Sequence, residues 1–277
     1  MAGILYVVGT PIGNLGDFSE RAKEILSSVD FIAAEDTRVT LKLLNKFEIS
    51  TPMISYHEHN HKLRDDQIIA RLLSGESCAL VSDAGMPAIS DPGQELVNKA
   101  HQNEIEVSSV PGPSAVISAL AISGMPSGKF SFEGFLSTAK QSRKQHLSSL
   151  EKDTRTLVFY EAPHKLISTL KDMLDVFGDR EIALCKELTK LHETVIRTTF
   201  SKALESFETV APKGEYVLII SGAKEDTAPR LTLSQAVSLA KTFTENGESV
   251  SNAAKLAAKE TGFKKSDIYK LLLEEKA

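Results

Sequence analysis

Cysteine is scarce: Cys78 and Cys185 are the only two in 277 residues, each within an apolar strand-like run, CALV and EIALCKE. Two thiols without metal-type spacing exclude a disulfide-stapled secreted scaffold and suit a reducing compartment. No stretch approaches the roughly 20 apolar residues of a membrane helix. The opening MAGILYVVGTP has neither the basic region nor the long apolar core of a signal peptide. A cytoplasmic protein with no membrane association is the expectation. Basic charge is not in excess either, since the net charge is −5. That excludes a uniformly basic nucleic-acid coat protein and still allows a local basic patch. Internal repeats and low-complexity tracts are absent.

What is present is enough apolar material for a substantial core, 42% apolar against 25% charged. The length fits one large or two medium α/β domains. ILYVVG (4–9), FIAAED (31–36), MISY (53–56) and CALVSD (78–83) are short apolar runs of the kind that form parallel strands buried on both faces. Helical periods separate them, as in SERAKEILSSV, with Ser19 as N-cap. Alternating β and α units predict a mainly parallel sheet over residues 1–122. After the linker SGMPSG, the strands TLVFYEA, EIALCKE, ETVIRTTF and EYVLIISG predict a second α/β domain over 123–222. KELTKLHETV reads there as a turn between neighbouring strands, so its sheet is expected to be mixed. Residues 223–277 read as a polar linker and three short helices, the last two joined across Gly262 like a helix-turn-helix. This segment has nine basic residues, Arg230 and Lys276 among them, against eight acidic ones.

Three strand ends of the first domain open into Gly/Pro-rich loops: VVGTPIGNLGD, VSDAGMPAISDPG and SVPGPSAV. Parallel strands bring such loops to one rim, where ligands of open α/β sheets bind. Glycine and proline also serve simply to turn a chain. In DPGQ, Asp91 reads as N-cap, Pro92 as first helical residue and Gln94 as capping-box partner. Gly9 and Gly13 do not make G-x-G-x-x-G, and no Walker Lys-Ser/Thr pair follows. Glu35 and Asp36 nevertheless end the second strand, where a ribose-binding acid would stand, so a dinucleotide site remains open on the residues alone. His57, His59 and His61 alternate in YHEHNH, but no further His- or Cys-rich element accompanies them, and no metal is assigned. Acid, base and cation crowd FYEAPHK and CKELTKLHE, an arrangement suited to proton abstraction beside an electrophile or to ordinary ion pairs. Lys140, Arg143 and Lys144 precede an apolar helical run and read as a solvated helix start or a phosphate contact.

Taken in order, VVGTPIGNLGD, AAEDTR, SDAGMPAISDPG, VPGPSA, FYEAPHK, KELTKLHE and GEYVLII span residues 7 to 220. The series resembles the tetrapyrrole-methylase-like family of S-adenosylmethionine-dependent methyltransferases. It is most similar to the branch that methylates the ribose 2′-hydroxyl of a cytidine in small-subunit ribosomal RNA. The resemblance implies two α/β domains with S-adenosylmethionine in the cleft between them, and a homodimer. The RNA partner would be free or within an assembled subunit. It places Pro11, Ser82, Asp83, Ala84, Gly85, Pro87, Ser114, Ala115 and Glu161 around the donor. Lys186, Glu187 and Lys190 become candidates for base and electrostatic helper, and Glu58 and Asn60 for holding the nucleotide. Lys140, Arg143 and Lys144, with the C-terminal helices, favour RNA over the alternative of a tetrapyrrole or other small-molecule acceptor. A dinucleotide-dependent oxidoreductase is the remoter alternative.

Overall fold

The computed structural model describes residues 2–224 and 232–274. Arg230 and Lys276 of the basic segment lie outside the described residues. Two compact units emerge, 1–223 and 224–277.

The first unit holds two five-stranded sheets. One is wholly parallel, in the order β3-β2-β4-β1-β5, from β1 (Ile4–Val8), β2 (Phe31–Ala34), β3 (Met53–Ser55), β4 (Cys78–Val81) and β5 (Glu106–Val110). Every residue of β2 and β4 is buried because helices cover both faces. Phe31 and Ala33 face the core made with α3 (His61–Leu73) and α4 (Gln94–Gln102). Ile32 and Ala34 face the core made with α1 (Glu20–Ser28) and α2 (Thr37–Lys46). Strand periodicity thus produces the unbroken apolar runs seen in the sequence. Ser19 and Asp36 accept hydrogen bonds from the first turns of α1 and α2 and start those helices.

The second sheet has the order β6-β7-β10-β8-β9. Its strands are β6 (Phe130–Phe135), β7 (Thr156–Glu161), β8 (Glu181–Lys186), β9 (Thr194–Thr199) and β10 (Tyr216–Ile220). Only β6 and β7 pair in parallel, so the sheet is mixed, as its sequence predicts. Residues 187–193 make the antiparallel turn. Strand β6 is not among the strands expected from sequence, because a bulge between Phe132 and Gly134 breaks its alternation. One face packs on α6 (Lys140–Ser149), α7 (Pro163–Phe177) and α8 (Phe200–Thr209) around Phe159, Leu184 and Leu218. The other is covered by α5 (Ala115–Ser123), whose Val116, Ala119 and Leu120 meet Val158, Cys185 and Val217. The helix that follows the first sheet therefore belongs to the core of the second.

In the second unit, α9 (Leu233–Glu245), α10 (Val250–Thr261) and α11 (Lys265–Glu274) enclose an alanine-rich core with Ile268 and Leu272. Thr232 and Gln235 form a capping box, and Gly262, in the left-handed region at φ 76°, ends α10. Among the described residues, no helix is long and apolar enough to cross a membrane.

Cys78 and Cys185 are fully buried, and burial pushes their thiols up to about 12 and about 11. In the native protein neither should react with a thiol-specific disulfide reagent at pH 8. Two equivalents should react once denaturant is added.

Candidate active site

The five parallel strands end on one rim, and two of the glycine-bearing loops there are joined by backbone. Thr10 N–H donates to Gly85 O at 2.9 Å, and Gly85 N–H donates back to Thr10 O at 3.1 Å. The buried Thr10 hydroxyl donates to Ser82 O at 3.1 Å. The third loop closes on the first without intervening side chains. A Cβ on Gly9 would stand 2.7 Å from Gly112 Cα and 2.7 Å from Met86 Sδ. Glycine is required there for loop-on-loop packing, so its spacing follows no phosphate-binding pattern.

These loops form one wall of a cavity of about 480 Å³, and the second sheet forms the other. Of the residues expected around a donor, Ala84, Gly85, Ser114, Ala115 and Glu161 line it. Pro11, Ser82, Asp83 and Pro87 are not among its lining residues. Ser82 and Pro87 are buried. Asp83 turns away to accept Asp36 N–H at 3.1 Å, while its own N–H donates to Glu35 at 3.2 Å. Asp36 also caps α2 and pairs with Arg38. The two acids considered for a dinucleotide ribose are thus tied into the β4 loop and a helix cap. Glu161 is 4% exposed and accepts from Ala162 N–H at 2.9 Å and the Thr169 hydroxyl at 2.5 Å. Its carboxylate fixes the turn from β7 into α7.

Asp91 departs from its expected role. Gly93, not Asp91, is the N-cap of α4, and no side chain caps that helix. Chain continuing through Pro92 and Gly93 leaves Asp91 lining the cavity instead. Burial raises its carboxyl, an effect the Ser82 hydroxyl partly offsets. Burial likewise raises Glu35 and Asp83. Ile12, Met86, Leu188, Glu215, Tyr216 and Val217 are also wall residues, and no sequence motif marks them. For Tyr160 a signal existed, because period-two alternation puts it on the same face as Val158, toward α5. Burial pushes its phenol up, against a hydrogen bond from Val116 N–H.

Glu187, Lys190 and Glu215 form a charged group beside this cavity, and Leu188 and Glu215 carry it to the lining. Lys190 Nζ donates to Glu215 at 2.8 Å and to Glu187 at 3.1 Å. Glu187 Oε1 also accepts Glu215 N–H at 2.9 Å. That backbone bond, with Lys190 and Lys186 nearby, lowers the Glu187 carboxyl; the two carboxylates raise Lys190. Lys186 ends β8 next to the pair.

The remaining expected residues lie elsewhere. Glu58 is exposed in the turn before α3. Asn60 is engaged within that turn, accepting His57 N–H at 2.9 Å and donating to Ser55 O at 3.2 Å. YHEHNH is therefore a turn running into a helix and not a strand. Arg143 is held inside the fold: it donates to Asp172 at 2.7 Å and to the carbonyls of Ser137 and Thr138 at 3.1 and 3.2 Å. Lys140 is exposed, and Lys144 stands 3.4 Å from Asp175.

The family model for Tetrapyrrole (Corrin/Porphyrin) Methylases matches residues 4–204. A ribosomal RNA small subunit methyltransferase I from Synechocystis sp. is 46% identical over 99% of both chains. A protein of the same name from Thermotoga maritima is 50% identical over 79% of this chain and 99% of its own. Among solved structures, diphthine synthase superposes with a TM-score of 0.59 at 12% identity, covering 79% of this chain and 89% of its own. Uroporphyrin-III-C-methyltransferase from Thermus thermophilus gives 0.55 at 18% identity, with coverages of 78% and 94%. These structural likenesses concern the fold.

The Arg143–Asp172 pair leaves the two side chains 11% and 8% exposed. Replacing Arg143 by Ala leaves the buried Asp172 carboxylate to Lys144, 3.8 Å away, and should cost about 3 kcal/mol in urea unfolding. Lys140→Ala should change stability by less than about 0.5 kcal/mol.

Proposed function

The chain belongs to the tetrapyrrole (corrin/porphyrin) methylase family, and from that premise we propose that it transfers a methyl group from S-adenosylmethionine to a ribose 2′-hydroxyl of small-subunit ribosomal RNA, at a cytidine. The observation that carries the reading is the cavity between the two sheets, walled by the loops that resemble the family's donor site. Its residues fit the donor in three ways. Ile12, Met86, Leu188 and Val217 offer apolar surface to an adenine ring. Asp91 and Glu215 offer negative charge to a sulfonium. The start of α5, where the Ser114 side chain makes no capping bond, offers backbone N–H groups to a carboxylate. When bound, S-adenosylmethionine supplies an electrophilic methyl group.

A ribose hydroxyl is a weak nucleophile at neutral pH, so charge developing on its oxygen must be stabilised. Lys190 is the chain's cation for that task, kept protonated by Glu187 and Glu215. Glu187 is held ionised by the same contacts and is available to accept the proton. The folded carboxyl lies below its unfolded value and the folded ammonium above. Their mutual stabilisation is therefore present through the neutral range, lost as pH falls through the Glu187 value or rises through that of Lys190. Exposed Glu58 is the residue of its turn best placed to meet a nucleotide, with Asn60 shaping the turn. Lys140 and Lys144 are proposed as phosphate contacts.

The relatives' names favour RNA as acceptor over a tetrapyrrole or another small molecule. Acting on ribosomal RNA would place the work in the cytoplasm. A second copy of the chain is part of the proposal, and the exposed Ile117 and Ile122 of α5 with Ile196 of the edge strand β9 offer apolar surface for it.

Calorimetry should give binding of S-adenosylmethionine and none of NAD. Primer extension on ribosomal RNA from a strain lacking the protein should show one ribose methylation restored by adding it, at a cytidine. Lys190→Ala and Glu187→Ala should each lower turnover by about 10²–10³ with donor affinity unchanged. Binding of NAD alone, or near-normal turnover in both variants, would overturn these assignments. Removing residues 224–277 should weaken RNA binding and flatten its salt dependence if the C-terminal helices contact phosphates. An unchanged slope would assign them another role.

A further inference from the structure

A second grouping of metal-ligating side chains, which methyl transfer does not use, lies at the starts of α3 and α4. His61 opens α3, Asp65 follows one turn later on the same face, and Glu95 stands in the first turn of α4. One ligand atom from each lies within 4.8 Å of the others. His61 Nδ1 is already 3.2 Å from Glu95 Oε2.

Asp65 is the unusual member. Its side chain is completely buried. Oδ1 accepts the hydroxyl of buried Tyr56 at 2.9 Å, but buried Oδ2 accepts no hydrogen bond. Lys99 Nζ is 3.4 Å from Oδ2 yet outside hydrogen-bonding geometry, and it donates to Asp66 at 2.9 Å. A buried carboxylate oxygen whose nearby ammonium makes no hydrogen bond to it is costly. Three carboxylates, Asp65, Asp66 and Glu95, gather here around the Lys99 ammonium and the His61 imidazole. A divalent cation would match them.

We propose that His61, Asp65 and Glu95 bind a divalent cation of the zinc class. One imidazole nitrogen with two carboxylate oxygens is a borderline donor set of the kind zinc accepts. Tetrahedral bonds of about 2.0–2.1 Å require ligand atoms about 3.3 Å apart. The His61–Glu95 pair meets this, and Glu95, 60% exposed, is free to move toward Asp65. Lys99, a third exposed, stays with Asp66 as the ion takes its place beside Asp65. Three protein ligands leave a fourth position for water. The site would clamp the starts of α3 and α4 together next to the turn carrying Glu58. Of the three alternating histidines, only His61 takes part.

The test is calorimetric titration of the metal-free full-length protein with Zn²⁺, with Co²⁺ absorption as a second readout. One ion per chain with a Kd on the order of 1 μM or tighter is expected. Co²⁺ should develop the strong visible bands of a four-coordinate site. Glu95→Gln, at an exposed position that does not endanger folding, and His61→Ala should each weaken binding more than about tenfold. His57→Ala and His59→Ala should leave it unchanged. Absence of saturable binding, unchanged affinity in Glu95→Gln and His61→Ala, or loss only in the His57 and His59 variants would overturn the proposal.

Discussion

Everything about the cavity depends on backbone meeting backbone between loops that are distant in sequence. The paired hydrogen bonds of Thr10 and Gly85 join the β1 loop to the β4 loop, and the contact of Gly9 with Gly112 sets the β5 loop against the first. Loops at a sheet rim otherwise have few apolar contacts to hold them and are drawn from the less stable part of a fold. A main-chain bridge with a buried threonine hydroxyl behind it fixes their relative position without spending side chains. Ala84, Gly85 and Ser114 can therefore present backbone and small groups to the cavity. The same economy explains why Gly9 and Gly13 do not follow G-x-G-x-x-G: Gly9 and Gly112 answer to one another's backbones.

The layered plan was legible because burial on two faces leaves a strong mark. Phe31-Ile32-Ala33-Ala34 and Cys78-Ala79-Leu80-Val81 have no polar residue to place, so both neighbouring layers had to be helical. The turn 187–193 and the helix break at Gly262 were likewise written locally. What escaped was decided by tertiary contact. Strand β6 is short and bulged at Gly134, and its pairing with β7 carries it more than its composition does. Asp91 followed by Pro92 has every local mark of a helix start. The chain instead delays the helix to Gln94, because Gly93 sits against Leu80 and Ala88 where a Cβ would stand 2.7 and 3.0 Å from their side chains. Wall residues such as Leu188, Glu215 and Tyr216 carry no motif; two sheets had to be folded before they faced one space. Arg143 shows the converse, since a cation in a basic string became half of a buried ion pair with Asp172, far along the chain.

The proposed chemistry needs one thing the loops of the first sheet cannot provide, a cation fixed relative to the donor wall. That wall lies on the first sheet and Lys190 on the turn of the second. Two glycines reconcile them. A Cβ on Gly13, from the β1 loop, would be 2.7 Å from Lys190 Cγ and 2.9 Å from Thr189 Oγ1. A Cβ on Gly214, just before β10, would be 2.6 Å from Glu187 Oε1. The Glu187–Lys190 pair is thus pressed between glycines contributed by the two halves of the unit. An ion pair at the surface contributes little when its side chains must be ordered for it; here the ordering is supplied by backbone on both sides. A side chain at Gly13 would press on the Lys190 stem, and one at Gly214 on the Glu187 carboxylate. Because positioning dominates the transfer of a methyl group in line, an error of this kind at Gly13 would act on turnover through Lys190 while leaving the apolar donor wall in place.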